Sequence, residues 1–200
     1  MHRRAVLLGA AALLAGCGGD IATPGGIGTD LRRIAVMRVE TRVSQNADIY
    51  YPDASGQVAA EAARRSTPDD PVYLTARERE GRVRAQIAAE VNAAVIDALR
   101  GMPAGDLPVV LEVLVTRYRI RSLLRGALLG SDHLAEATIT LRDARTGAPV
   151  SEPLAVSAES TEQVAILGGL QLRAIRPAPA RRLNRNLAAE IRAALDRVTG

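Results

Sequence analysis

Residues Pro108 to Arg121 read PVVLEVLVTRYRIR. Val109, Leu111, Val113 and Val115 share one parity, and a strand places residues two apart on the same face, so this half of the segment is a strand with a buried side. Arg117, Arg119 and Arg121 continue that parity. One face cannot be core at one end and arginine at the other while the strand stays in the sheet. Either the strand projects beyond the sheet and the arginines emerge at its rim, or a bulge near Thr116 flips the faces and aims Tyr118 and Ile120 outward.

The segments that follow supply partners for this strand. Leu134 to Asp143 alternates cleanly, Ala135, Ala137, Ile139 and Leu141 against Glu136, Thr138, Thr140 and Arg142, as a half-exposed strand does. Ala144 to Gly147 turns it into a partner over Val150 to Ala158; Gly147 can take the positive φ of a hairpin loop, and Pro153 marks an edge. Toward the N-terminus, Arg33 to Val39 (RIAVMRV) is short and apolar on much of both faces and is expected inside the sheet.

Two helices are legible. Thr75-Ala76-Arg77-Glu78 fits a capping box, the run after it puts Val83, Ile87, Val91, Ala94, Val95, Ala98 and Leu99 on one stripe, and Gly101 with Pro103 stops it. After Pro177 and Pro179, Leu183, Leu187, Ile191, Leu195 and Val198 recur at helical spacing. Residues 41–74, with breakers at Tyr51-Pro52-Asp53 and Thr67-Pro68-Asp69-Asp70-Pro71, read as a long loop with a helical turn at Val58 to Arg65. The order β, long loop, α, β, β, β, α describes an α+β fold: a mostly antiparallel sheet of about four strands with two helices packed on one face.

Ahead of this domain, His2, Arg3 and Arg4 precede the uncharged run Ala5 to Gly16, the positive and apolar regions of an export signal. The run is too short for a mature span, which needs roughly 20 residues. Leu14-Ala15-Gly16-Cys17 resembles the lipoprotein-processing motif, in which the peptide bond between Gly16 and Cys17 is cut and the Cys17 thiol carries acyl chains such as palmitate. Residues 1–16 are thus expected to be a lipoprotein signal peptide, 17–30 a Gly/Thr/Pro-rich flexible tether from the lipidated cysteine, and 31–200 a single envelope domain containing the loop 41–74. Arg3-Arg4 leaves the export route open between the general and the twin-arginine systems.

Composition narrows the chemistry. Cys17 is the sole cysteine, so the domain has no internal disulfide and is stabilised by packing. All 26 basic residues are arginine against 22 acidic ones, and without Arg3 and Arg4 the net charge falls from +4 to +2, which is no nucleic-acid signature. With no Trp or Phe and only Tyr50, Tyr51, Tyr73 and Tyr118, there is little for an aromatic platform.

Past the signal, the one histidine is His133, beside Ser131 and Asp132; consecutive side chains diverge and form no triad, so His133 reads as a turn or strand-start residue with a local hydrogen bond rather than a catalytic base. No catalytic residue, metal site or cofactor is expected: Asp69-Asp70 lacks a third ligand at a defined spacing, and Gly25-Gly26-x-Gly28 precedes the first strand instead of following one. Two arginine clusters remain, Arg117, Arg119, Arg121 and Arg125, then Arg173, Arg176, Arg181, Arg182 and Arg185. Their planar forks suit carboxylates and phosphates, while the plainer reading is solvated charge. The first cluster, next to the apolar stretch Leu123 to Gly130, is the candidate interaction surface; that stretch and Ala165 to Leu170 are either contact sites or buried loops.

Several of these pieces resemble a family of uncharacterised alphaproteobacterial outer-membrane or periplasmic lipoproteins: the lipobox, Asn46 with Tyr51-Pro52-x-Ala54, Gly130-x-x-His133, and Leu141-Arg142-Asp143-Ala144-x-Thr146-Gly147. Ala54-Ser55-Gly56-Gln57 departs from the Trp-Arg-Gly-Asp expected after the tyrosines. More distantly, the element order is similar to the small α/β domains of envelope assembly lipoproteins, the periplasmic part of the curli secretion channel, and the amino-terminal domain of TolB, which hold partners. The resemblance implies a non-enzymatic protein, lipid-anchored in the envelope and more readily in the outer membrane facing the periplasm than in the inner one. It would bind another envelope protein or a further copy of itself in assembly or secretion, and no nucleic acid. The alternatives are a small-ligand or lipid-binding lipoprotein, a hydrolase whose site is unrecognised, and a purely structural surface lipoprotein.

Overall fold

The computed structural model describes residues 34–66, 74–103, 105–120, 131–162 and 179–199. In chain order these form β1 (Ile34–Tyr50), α1 (Pro52–Arg65), α2 (Ala76–Ala98), β2 (Leu107–Arg119), β3 (Ser131–Asp143), β4 (Leu154–Glu162) and α3 (Pro179–Thr199). The sheet order is β1-β2-β3-β4. β1 runs parallel to β2 through the α1–α2 crossover, and β2–β3 and β3–β4 are antiparallel. The fold is therefore the expected α+β type, with a mixed sheet and a third helix.

β2 carries the core. Val109, Leu111, Val113 and Val115 face inward, and between Val115 and Arg117 the register to β3 shifts because Thr116 is an extra residue. The bulge is where the sequence places it, but its effect is the reverse of the one expected. An extra residue changes parity, so it turns Tyr118 and Ile120 inward, where both are buried, and puts Arg117 and Arg119 on the outer face. The inward row of β3, His133 through Leu141, and Val156, Ala158 and Ser160 of β4 complete the floor.

Two helices cover that floor. α2 packs on β1, α3 packs on β4 and β3, and the two touch each other. Val83, Ile87, Val91 and Val95 of α2 and Leu183, Leu187, Ile191 and Leu195 of α3 form the buried stripes, each side chain worth about 1.5–3 kcal/mol on burial. The Thr75–Glu78 capping box forms as expected, Thr75 Oγ1 accepting from the Glu78 N–H at 3.2 Å and the Glu78 carboxylate accepting from the Thr75 N–H at 2.7 Å. At the other end of α2, Arg192 of α3 donates to the Ala98 carbonyl, one of the oxygens a helix terminus leaves without an internal partner.

Two further expectations are corrected. β1 is an edge strand rather than an interior one, since its only neighbour among the described strands is β2. Residues 41–74 are not one long loop: β1 continues to Tyr50 and α1 fills Pro52–Arg65. The polar residues that suggested a loop belong to a strand with a solvated face and to a helix that buries just Ala54, Val58 and Ala62. At the opposite edge Pro153 immediately precedes β4, and Gly147 adopts φ +73° in the β3–β4 turn.

Candidate functional site

The longest irregularity in the sheet is in β1, where Ser44 to Ala47 loop out between Val43, opposite Val115, and Asp48, opposite Arg117. Arg84 of α2 holds this segment: its guanidinium donates to the carbonyls of Ser44 and of Gln45, the latter at 2.9 Å, and bridges Glu80 at 2.5 Å. The strand resumes for Asp48, Ile49 and Tyr50, and the Ile120 N–H donates to the Tyr50 carbonyl at 2.7 Å. Pro52 then starts α1, a first-turn position where its missing N–H costs nothing. The chain thereby turns a corner at Tyr50-Tyr51-Pro52.

That corner, α1 and the first turns of α2 enclose a groove of about 500 Å³. Ile49, Tyr50, Pro52, Ala59 and Val83 give it apolar walls, and Arg79 and Glu80 are its charged lining. Tyr50 is 51 % exposed, and Tyr51 is buried. Glu80 is engaged by Arg84, whereas Arg79 makes no ion pair among the described residues.

Behind Tyr51 runs a polar chain that crosses the molecule. Its hydroxyl donates to Glu90 Oε2 at 3.3 Å; Gln86 Nε2 donates to Glu90 Oε1 at 2.9 Å and to Gln57 Oε1 at 3.1 Å; Asn184 Nδ2 donates to Glu90 Oε2 at 3.3 Å. Asn184 Oδ1 in turn accepts from the Tyr118 hydroxyl at 2.9 Å. The rings of Tyr51 and Tyr118 lie 5.5 Å apart at 52°, a favourable tilted contact. Burial, then the nearby Glu90 charge, pushes the Tyr51 hydroxyl well above the usual tyrosine range; burial does the same to Tyr118, followed by Tyr51 and Glu90. Both phenols are thus neutral donors near pH 7. The network fixes the groove's floor relative to α2, α3 and β2.

Sequence reasoning missed this network, though a signal was present: Glu90 and Asn184 are polar residues set among apolar helix positions, three residues after Ile87 and one after Leu183. Of the residues singled out earlier for the resemblance, Tyr51 and Pro52 form the corner, Ala54 is fully buried in the first turn of α1, and Asn46 lies in the β1 irregularity, its N–H donating to Ser44 Oγ at 3.3 Å.

The structure divides the expected arginine surface. Arg117 pairs with Glu136 at 2.6 Å and Asp48 at 3.7 Å, and Arg119 pairs with Asp48 at 2.6 Å, all on the outer face of the sheet. The described part of that surface is consequently charge-paired. Arg121, Arg125 and the stretch Leu123 to Gly130 lie outside the described residues, as do Gly16, Cys17, Asp69-Asp70 and Ala165 to Leu170. His133 is the third residue of β3, buried on the inward row and in register with Ser160. Among the described residues no group of three or more His, Cys, Asp or Glu could hold a metal ion. No described helix is long and apolar enough to cross a membrane.

No protein-family model matches the chain, and neither does any curated protein. Among solved structures it is similar to a candidate lipoprotein of Caulobacter crescentus CB15, at 19 % identity over 57 % of this chain and 81 % of that one, with a TM-score of 0.34. It is also similar to lipoprotein GNA1162 of Neisseria meningitidis, at 20 % identity over 64 % and 82 %, TM-score 0.25. A minor lipoprotein of Acinetobacter baumannii matches at 14 % identity over 80 % and 93 %, TM-score 0.29. Likeness at this level carries no argument about activity or partners.

Proposed function

We propose that this chain is a lipid-anchored, non-enzymatic envelope protein whose domain binds an extended segment of another envelope protein in the groove beside Tyr50. The anchor rests on the lipobox ending at Cys17 and the tether after it. We place the anchor in the outer membrane, the domain facing the periplasm. The binding role rests on one observation, the groove itself: apolar walls, a half-exposed Tyr50, a floor fixed through Tyr51 and Glu90, and Arg79 with no ion pair among the described residues. Such a lining suits an apolar segment that carries a carboxylate for Arg79.

The test is a photoreactive residue at position 50 of the full-length lipoprotein in its membrane. One discrete crosslinked envelope protein is expected, lost with Arg79→Glu and retained with Arg119→Gln; absence of any crosslink overturns the reading. The apolar walls also favour a second reading, a small ligand or lipid in the same groove. A constant added mass on the intact protein in native mass spectra, lost with Tyr50→Ala, would put that ligand in the partner's place.

A further inference from the structure

The longest regular stretch of β1 lies between its two irregularities, at Met37 and at Ser44 to Ala47. The six residues between them are Arg38-Val39-Glu40-Thr41-Arg42-Val43, in which Glu40 bridges Arg38 at 2.7 Å and Arg42 at 3.5 Å, and the last five are centred on Thr41. Turned antiparallel on itself about Thr41, this segment sets Val39 opposite Val43, Glu40 opposite Arg42 and Thr41 opposite Thr41, so every position meets a suitable partner. Moving the centre to Glu40 or to Arg42 puts like charges face to face. Of the registers centred on Glu40, Thr41 and Arg42, the one on Thr41 alone is self-complementary.

The two edges of the sheet differ in their protection. At β4, Pro153 lies just before the strand and Asn186 Nδ2 donates to the Glu159 carbonyl at 2.8 Å, two devices that discourage pairing. At β1 the bulges flank the segment Val39 to Val43 and leave it straight. Arg42 and Glu40 lie on the outer face, with the Arg42 side chain 75 % exposed.

The layer above carries an independent sign. Thr41 Oγ1 donates to Asn92 Oδ1 at 3.0 Å, which fixes α2 over the centre of the segment. On the side of α2 that carries Asn92, Ala85 and Ile96 are exposed, the latter 44 %, and Ala88 is half-buried. Small side chains allow a second helix to come within the 8–10 Å of ordinary helix packing, and Ile96 has an apolar contact to gain there.

We propose that two copies of this chain join antiparallel through β1, centred on Thr41, into a continuous eight-stranded sheet with the two α2 helices packed over the seam. The pairing uses none of the residues that line the groove, so it does not rest on the proposed function.

The full-length protein, purified in detergent and measured by sedimentation with the detergent mass subtracted, is expected to be a dimer. Glu40→Arg and Arg42→Glu, each setting like charges opposite, should raise the dimer dissociation constant roughly tenfold or more while circular dichroism stays unchanged. The double change Glu40→Arg/Arg42→Glu should restore the dimer. Mixing the two single variants should give the heterodimer in preference to either homodimer, a result no loss of folding can mimic. A wild-type protein that sediments as a monomer at every concentration, or a dimer indifferent to both single changes, overturns the proposal.

Discussion

Tyr118 of β2 donates its hydroxyl hydrogen to Oδ1 of Asn184 of α3 at 2.9 Å, inside the core. Tyr118→Phe removes the donor and leaves a buried amide oxygen with one partner fewer, which costs about 1–3 kcal/mol. Urea unfolding of the domain should show that loss in the midpoint with an unchanged slope. Tyr51→Phe, whose contact to Glu90 is longer and partly solvated, should cost less.

The bulge at Thr116 makes an asymmetric prediction about deletions. Removing Thr116 straightens β2 and still leaves Arg117 outward and Tyr118 inward, so the variant should fold with a far-UV spectrum like that of the parent. Removing Leu114 and closing the bulge exchanges Val115 and Thr116 between the faces and leaves Val113 and Tyr118 inward, so that variant should fold but lose the burial of Val115, about 1.5–3 kcal/mol in urea unfolding.

The capping box sets part of the pH dependence. The Thr75 N–H, and after it the Thr75 side chain, holds the Glu78 carboxyl below its ordinary value. A depressed carboxyl stabilises the fold fully above its unfolded value, and the contribution is lost as pH falls through the lower folded one. Glu78→Gln should therefore flatten the acid limb of a stability-against-pH curve without altering the neutral plateau's shape. Thr75→Ala should lower stability by about 1 kcal/mol at pH 7.

Gly147 turns the β3–β4 connection at φ +73°, with open space where a side chain would stand. Gly147→Ala is thus penalised by backbone conformation alone, by roughly 1 kcal/mol, and Gly147→Asn by less, since asparagine tolerates the left-handed region. Thermal unfolding of the two variants should rank them in that order.

Replacing Arg117 and Arg119 by Gln breaks ion pairs whose side chains are between a third and a half exposed. Such pairs contribute at most about 1 kcal/mol each, so the melting temperature should hardly move. Binding to anionic vesicles is expected to be equally unaffected by these two changes, because Asp48 and Glu136 already neutralise that patch.

The sheet and its two covering helices were legible because each has one solvated side, and the alternation in Leu134 to Asp143 or the stripe from Val83 to Val95 records it directly. β1 was misplaced because an edge strand covered by α2 on one face can be as apolar over a few residues as an interior one. Its second half and α1 were hidden in polar composition: α1 buries three small residues, too faint a stripe to announce a helix. The groove was not legible at all, since Ile49, Ala59 and Val83 come together through a crossover whose handedness and packing lie beyond any local pattern. For Thr116 the position of the bulge followed from parity, and the direction of its effect needed the same parity carried one step further.

The parallel pairing of β1 with β2 orders events in time. Val43 meets Val115, 72 positions later, whereas Ala137 meets Val156 after only 19. Closing the longer loop costs about 1 kcal/mol more chain entropy before any contact repays it. β2, β3 and β4 can assemble as a meander while β1, made first, is still waiting for its crossover to form. The strand that comes first in the domain is then the last to dock, and until it does, the β2 edge of the nascent sheet is open to other chains.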